Sequence, residues 1–237
     1  MKRLTVFILL FASLSVPRNS FAQDPFSVRK PRETALIAGG AAVLALGTLA
    51  YVRPAPSMLV NPDRNPIFAP DRFAVDLSSK SAATASDALM TASVGFPLLF
   101  FSRKTIGTDV LMFAESNLLC QGITQLCKGV FQRPRPYAYR PEYAGKPLGR
   151  DAFRSFISGH TSAAFNGAVL AAVVYGKRHP GSKSSRTVWV TGLTLAAATG
   201  TCRVLAGRHF PTDVLAGAAA GALTGWLIPQ LHLGGGG

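Results

Sequence analysis

The sequence predicts an all-α protein, a bundle of six transmembrane helices, and two observations lead to this prediction. Hydrophobic residues make up 48% of the chain although its formal net charge is +14. The apolar residues form long blocks, and the basic residues gather in the segments between the blocks. This alternation is typical of membrane proteins. A chain of 237 residues also suits a single domain with a full core.

The elements are taken in order from the N-terminus. Residues 1–22 resemble a secretory signal, because Lys2 and Arg3 precede an apolar run that is too short to span a bilayer comfortably. Residues 34–52 are uncharged and long enough to cross. Residues 53–80 form a connection that contains Pro and Asp, with an interfacial stretch around 67–77.

Five more apolar segments complete the predicted bundle: 86–101, 106–130, 161–175, 187–202 and 211–231. Gly217, Gly221 and Gly225 recur every four residues in the last segment. This repeat predicts a smooth face for close helix packing. We expect one membrane-embedded domain over residues 23–233, followed by a Gly tail at 234–237.

Charge and cysteine placement exclude some classes of function. The Lys and Arg residues form no basic helix face and no aromatic-interleaved sheet, so an anionic lipid or phosphate ester is the expected partner and nucleic acid is not. Cys120 and Cys127 lie about 10 Å apart along one predicted helix, which is too far for a disulfide. With Cys202 they are predicted to be packing residues. No metal-ligand spacing is present, so no metal or other cofactor is expected.

The stretch 203–213 contains the first candidate site residues. Pro211 suits the first turn of a helix, so His209 would lie at the helix entrance and Asp213 four residues further on. That spacing lets the carboxylate contact the imidazole and fix its tautomer. With Arg203 beside it, His209 would be equipped to attack an anionic substrate. The alternative is a helix cap with scattered surface charge.

Two earlier stretches supply groups for an anion. Lys128 is expected to end a helix, and the prolines on both sides of Arg135 keep that residue out of the helix. Ser158 suits the N-cap of a helix whose first N–H groups would point at a phosphate. The candidate phosphate-binding residues are therefore Lys128, Arg135, Ser158, Gly159 and Arg203.

Together these stretches resemble the three signatures of the type 2 phosphatidic acid phosphatase family. The family patterns are Lys-six residues-Arg-Pro, Pro-Ser-Gly-His, and Ser-Arg-five residues-His-three residues-Asp. The spacings inside all three agree over the last two thirds of the chain. Ile157 replaces the usual Pro and Cys202 the usual Ser. The resemblance implies the helical core that this family shares with vanadium haloperoxidases and bacterial class A acid phosphatases.

The resemblance also implies the chemistry. His209 would form a phosphohistidine, Asp213 would hold its other ring nitrogen, and His160 would protonate the leaving oxygen and later activate water. The substrate would be a lipid A phosphate, undecaprenyl diphosphate or a glycerophospholipid phosphate. Three alternatives stay open: a soluble secreted acid phosphatase, a vanadate-binding haloperoxidase, and a non-catalytic protein that binds lipid phosphates. The sequence does not indicate an oligomeric state.

A bacterial inner-membrane location is expected, with the catalytic motifs facing the periplasm. Basic residues near 29–32, 103–104 and 177–186 mark the cytoplasmic side by the positive-inside rule. A cleaved signal before the first helix would reverse this orientation.

A few polar residues lie outside the three motifs. Glu115 is an acid within an apolar segment, for which we expect a structural hydrogen-bonding role. The loop 137–154 is either a second phosphate or sugar site or a solvated basic loop. His179 and His232 are predicted to be incidental, because neither has a motif partner.

Overall fold

The computed structural model describes residues 24–52 and 63–234, apart from the side chains of residues 51 and 52. This part of the chain is all-helical, which confirms the predicted fold class. The signal-like segment 1–22 and residues 235–237 of the Gly tail lie outside the described residues. The α-helices are α1 (Lys30–Val52), α2 (Lys80–Gly95), α3 (Ile106–Phe131), α4 (Gly159–Arg178), α5 (Ser184–Leu205) and α6 (Pro211–His232).

Four spans in the described part of the chain are long and apolar enough to cross a membrane. They are α1, α2 together with the 3₁₀ helix Phe96–Phe100, α5 and α6. The protein is therefore a multi-pass membrane protein. Charged residues interrupt the apolar sequence of the continuous helix α3 at Asp109, Glu115 and Lys128, and α4 lies largely inside the bundle. A count of six membrane spans therefore stays a prediction.

Several helices extend beyond the apolar runs that predicted them, because polar residues cap their ends. Ser79 caps α2 by accepting a hydrogen bond from the Ala82 N–H, and Ser158 caps α4 by accepting one from the Thr161 N–H. Hydropathy does not detect such polar ends. The predicted N-cap role of Ser158 is thus confirmed.

α4 is the central helix and packs against α2, α3, α5 and α6. The glycines of α6 lie directly against it, as their spacing predicts. A Cβ atom at Gly221 would lie 2.0 Å from the Ser162 carbonyl oxygen, and one at Gly225 would lie 2.5 Å from that of Asn166. Glycine is therefore required for this approach. The close packing holds the N-terminus of α6 beside that of α4.

The connection before α2 covers the same end of the bundle. Its 3₁₀ helix, Ala69–Asp76, buries Ala74 and Val75 against Phe210, while Phe68 and Phe73 remain exposed. The stretch predicted to be interfacial is thus partly inside the protein. The cysteines Cys120, Cys127 and Cys202 are all free, as expected.

Candidate active site

All eight predicted site residues meet at one end of the bundle, where α3 and α5 end and α4 and α6 begin. The Ser158 N–H donates to the Asp213 carbonyl oxygen at 3.0 Å, which joins the second motif to the third. A guanidinium nitrogen of Arg135 lies 3.2 Å from His209 Nε2, which joins the first motif to the third. The fold therefore assembles three stretches that are far apart in sequence.

His209 is buried and held in one tautomer. Its Nδ1 lies 2.8 Å from the Ser155 carbonyl oxygen, and because a carbonyl can only accept, Nδ1 carries the proton. Burial holds the pKa of His209 well below its ordinary value, and the positive charges of Arg135, Lys128 and Arg203 act in the same direction. The imidazole is consequently neutral, with the lone pair on Nε2 turned toward the guanidinium.

Asp213 acts on His209 differently from the sequence expectation. The closest approach of its carboxylate to His209 Nδ1 is 3.8 Å, too long for a hydrogen bond. Instead Oδ2 accepts hydrogen bonds from the Ser155 hydroxyl at 2.5 Å and from the Phe210 N–H at 2.9 Å. Asp213 thus caps α6, and it also fixes Ser155, whose carbonyl holds the imidazole. The predicted direct contact of Asp213 with the other ring nitrogen is therefore wrong, and the helix-cap part of the alternative interpretation is confirmed.

Sequence reasoning missed Arg133, which ties Asp213 to the connection before α2. Its guanidinium donates to Asp213 Oδ1 at 2.7 Å and to Asp71 Oδ2 at 2.8 Å, and both carboxylates are fully buried. It also lies over the Phe210 ring, 4.2 Å from the centroid. The sequence could have pointed to Arg133 because it lies between Lys128 and Arg135 in the first motif. Its partner Asp71, however, is 62 residues away and belongs to no motif.

A second missed acid, Asp87, lies beside the other predicted catalytic histidine. Asp87 Oδ1 is 2.8 Å from His160 Nε2 and 3.8 Å from Arg203, whose guanidinium also donates to the Ser86 hydroxyl. Burial and the charge of Arg203 hold the pKa of His160 below its ordinary value, and the Asp87 carboxylate opposes them and orients the ring. The signal was available in the sequence, because Asp87 is the sole charged residue between 81 and 102.

The predicted cations are buried around this centre. Lys128 Nζ donates to the Arg154 carbonyl oxygen at 2.8 Å, and the Arg135 guanidinium donates to the Asp151 carboxylate at 2.9 Å. Gly159 lies over the Lys128 stem, since a Cβ there would be 3.6 Å from Cε. Positive charges shielded from water attract an anion strongly. The arrangement suits a phosphoryl group between these cations and the N-terminus of α4.

The loop 137–154 fits neither of its two interpretations as a whole. The Arg140 guanidinium donates to the Val75 and Leu77 carbonyl oxygens and so holds the loop to the connection before α2, and Arg154 is buried. Lys146 and Arg150 are exposed. The loop therefore packs against the connection before α2 and presents only part of its charge to solvent.

Two expectations about residues outside the site were wrong. Glu115 is buried, but within the described residues neither of its carboxylate oxygens has a partner in hydrogen-bond geometry. His232 is not incidental, because it is fully buried and lies 2.9 Å from Glu33.

Comparison with known proteins identifies the family of this chain. The model of the PAP2 superfamily matches residues 109–234, which include all three motifs and more than half of the chain. The chain belongs to the PAP2 superfamily. This confirms the resemblance to the type 2 phosphatidic acid phosphatase family.

Two relatives are similar to this PAP2 protein. A lipid A 1-phosphatase from Porphyromonas gingivalis is 44% identical over 78 residues, which are 32% of this chain and 16% of that protein. A transmembrane PAP2-type phosphatidylglycerolphosphate phosphatase from Bacillus subtilis, known from a crystal structure, aligns over 97% of this chain and 94% of its own with 22% identity and a TM-score of 0.44. The curated relative is thus matched over a small part of its length.

Proposed function

We propose that this protein is a phosphatase that removes a phosphate group from a monoester or diphosphate of a membrane lipid, through a phosphohistidine on His209. The observation that carries the proposal is the state of that histidine. Its Nδ1 proton is held by the Ser155 carbonyl, so an unprotonated Nε2 faces the Arg135 guanidinium among three buried basic side chains. An unprotonated imidazole is a nucleophile, and the cations would hold a phosphoryl group in front of it.

The reaction then follows in two steps. In the first, Nε2 of His209 bonds to phosphorus, the bond from phosphorus to the lipid oxygen breaks, and His160 donates its proton to that oxygen. In the second, neutral His160 takes a proton from water, the water oxygen bonds to phosphorus, and the phosphorus–nitrogen bond breaks to release phosphate. The first step needs a protonated His160, which burial and Arg203 oppose before a phosphate binds; Asp87 and the negative charge of a bound phosphate would together favour it.

A membrane lipid fits the surroundings of the site. Val130 and Phe131 at the end of α3 are mostly exposed, as are Phe68 and Phe73 on the connection before α2. Exposed apolar side chains at this end of the bundle would contact acyl chains while the phosphate enters between the cations. The similarity to a lipid A 1-phosphatase makes lipid A the first substrate to test. Undecaprenyl diphosphate and phosphatidic acid are the next candidates.

Location is part of the same proposal. The site would face the periplasm from the bacterial inner membrane, because the basic segments near 29–32, 103–104 and 177–186 lie at the opposite ends of the helices.

The test uses protein purified in detergent. We expect phosphate release from at least one of the three lipids, and trapping of an acid-labile, alkali-stable phosphoenzyme. His209→Ala should abolish both. His179→Gln is the matched control, because this histidine lies at the far end of α4 and should leave both unchanged. Binding of lipid phosphates without any release would instead support a non-catalytic binding protein.

A further inference from the structure

A second group of ionisable side chains lies at the opposite end of the bundle from His209. Glu33 comes from the first turn of α1, Glu115 from the middle of α3 and His232 from the last turn of α6. His232 is 21 residues beyond Pro211, about 30 Å along the helix. All three are buried, and one ligand-capable atom from each lies within 4.8 Å of the other two.

The ring nitrogens of His232 determine what this cluster needs. Nδ1 lies 2.9 Å from the Ile228 carbonyl oxygen, so Nδ1 carries a proton. The other ring nitrogen, Nε2, lies 2.9 Å from Glu33 Oε2 and 3.3 Å from Glu115 Oε2. Two carboxylate oxygens beside one ring nitrogen need a positive charge among them, either a proton on Nε2 or a metal ion.

The geometry distinguishes a shared ion from a simple hydrogen bond. Despite the short distances, neither carboxylate oxygen has hydrogen-bond geometry with Nε2, and Glu115 has no hydrogen-bond partner for either oxygen among the described residues. In a tetrahedral site each ligand points its lone pair at the ion and not at the neighbouring ligand. Two ligand atoms then lie about 3.3 Å apart when each bond to the ion is about 2.0–2.1 Å. The distance from Nε2 to Glu115 equals that separation, and the distance to Glu33 is 0.4 Å shorter.

The outer contacts are also those of a metal ligand set. A ligating histidine usually donates its other N–H to a carbonyl or carboxylate, as His232 does to Ile228. The second oxygen of Glu33 is held by the Arg29 N–H at 2.8 Å and by the Arg32 side chain. A cleft lined by Val28, Lys30, Thr34, Ile37 and Leu111 opens beside Glu33 and offers an entry path.

We propose that Glu33, Glu115 and His232 form a site for a divalent metal ion of the zinc type. The imidazole nitrogen and two carboxylates suit Zn²⁺, and their two negative charges would balance it. The ion would join the first turn of α1 and the last turn of α6 to the body of α3. It would stabilise the fold rather than take part in phosphoryl transfer, because His209 is at the other end of the bundle.

The experiment measures metal binding directly. Full-length protein in detergent, with any purification tag removed, is stripped with a chelator, exposed to Zn²⁺ alone, desalted and analysed by mass spectrometry of the metal. We expect about one zinc ion per chain and a higher unfolding temperature with zinc. Glu115→Gln, which keeps the side-chain shape, should bind zinc at least about tenfold more weakly. His179→Gln should bind zinc like the unchanged protein.

Two further readouts keep the outcome clear. His209→Ala should keep its zinc while losing turnover, so failure of the metal site and failure of the proposed phosphatase are separable. X-ray absorption of the zinc-loaded unchanged protein should show one imidazole and otherwise oxygen ligands, whether or not Glu115→Gln folds. No zinc uptake by the unchanged protein, or a first shell with sulfur or several imidazoles, would overturn the proposal and leave a proton as the shared charge.

Discussion

Replacing Arg133 tests whether the buried ion pairs around Asp213 hold the active site together. Arg133→Met keeps the stem and removes the charged hydrogen bonds to Asp71 and Asp213, each at 2.8 Å or less. A hydrogen bond to a charged group contributes about 1.5–3 kcal/mol, so two give about 3–6 kcal/mol. The Arg133 side chain is 25% exposed, which lets water replace part of each bond and puts the expected loss near 3 kcal/mol.

Two companion variants make this magnitude interpretable. Arg133→Lys keeps the charge, but its single nitrogen cannot reproduce the two contacts that separate guanidinium nitrogens make with Asp213 and Asp71, so about half of the loss, roughly 1.5 kcal/mol, should remain. The matched control is Arg64→Met, which removes a bidentate but exposed pair with Asp76 in the same connection. Exposed pairs contribute about 0–1 kcal/mol.

The assay is denaturant unfolding in detergent micelles together with phosphatase turnover. The free energies of unfolding are compared between variants whose unfolding free energy depends on denaturant concentration with the same slope. Arg133→Met should also lower kcat by about 100-fold, because Asp213 and Ser155 would no longer hold His209 in place. If Arg133→Met were no less stable than Arg64→Met, or if Arg133→Lys matched the unchanged protein in stability and rate, the bridging role of Arg133 would be refuted.

The remaining predictions concern chemistry and orientation. His160→Ala should lower turnover about 10²–10⁴-fold with a lipid phosphate but much less with nitrophenyl phosphate, whose leaving group needs no proton. His209→Ala should abolish turnover of both substrates. Equal losses of turnover by His160→Ala on the two substrates would contradict its role as the acid. Because the pKa of His209 is well below its ordinary value, His209 should stay unprotonated below pH 6.5. The rate of phosphoenzyme formation, after correction for the titration of the substrate, should therefore persist below pH 6.5. A fall in this rate centred at about pH 6.5 would contradict a neutral buried nucleophile. Turnover should survive EDTA even if the unfolding temperature drops, and inactivation reversed by a divalent ion would refute metal-free chemistry. Ala144→Cys, in a background without native cysteines, should react with a membrane-impermeant thiol reagent in intact spheroplasts; labelling only after lysis would reverse the proposed orientation.

Local features of the sequence were enough to predict much of this protein. The apolar blocks located all six described helices, because each run of hydrophobic residues reflects the surroundings of its own segment. Ser158 as an N-cap and Gly217, Gly221 and Gly225 as a packing face were equally local, since capping and close approach depend on residue type at fixed spacing. Motif spacing likewise identified His209, Asp213 and the surrounding cations as residues that would meet.

The tertiary structure alone decided which partners these residues use. Ser155 rather than Asp213 holds the His209 proton, and Asp71 and Asp87 reach the site from segments with no motif. Glu33, Glu115 and His232 looked unrelated because 82 and 117 residues separate them in sequence. A hydrogen bond or a shared cation depends on distances of about 3 Å. Such distances between remote segments are set by how the helices pack, and the local pattern of a single segment does not contain them.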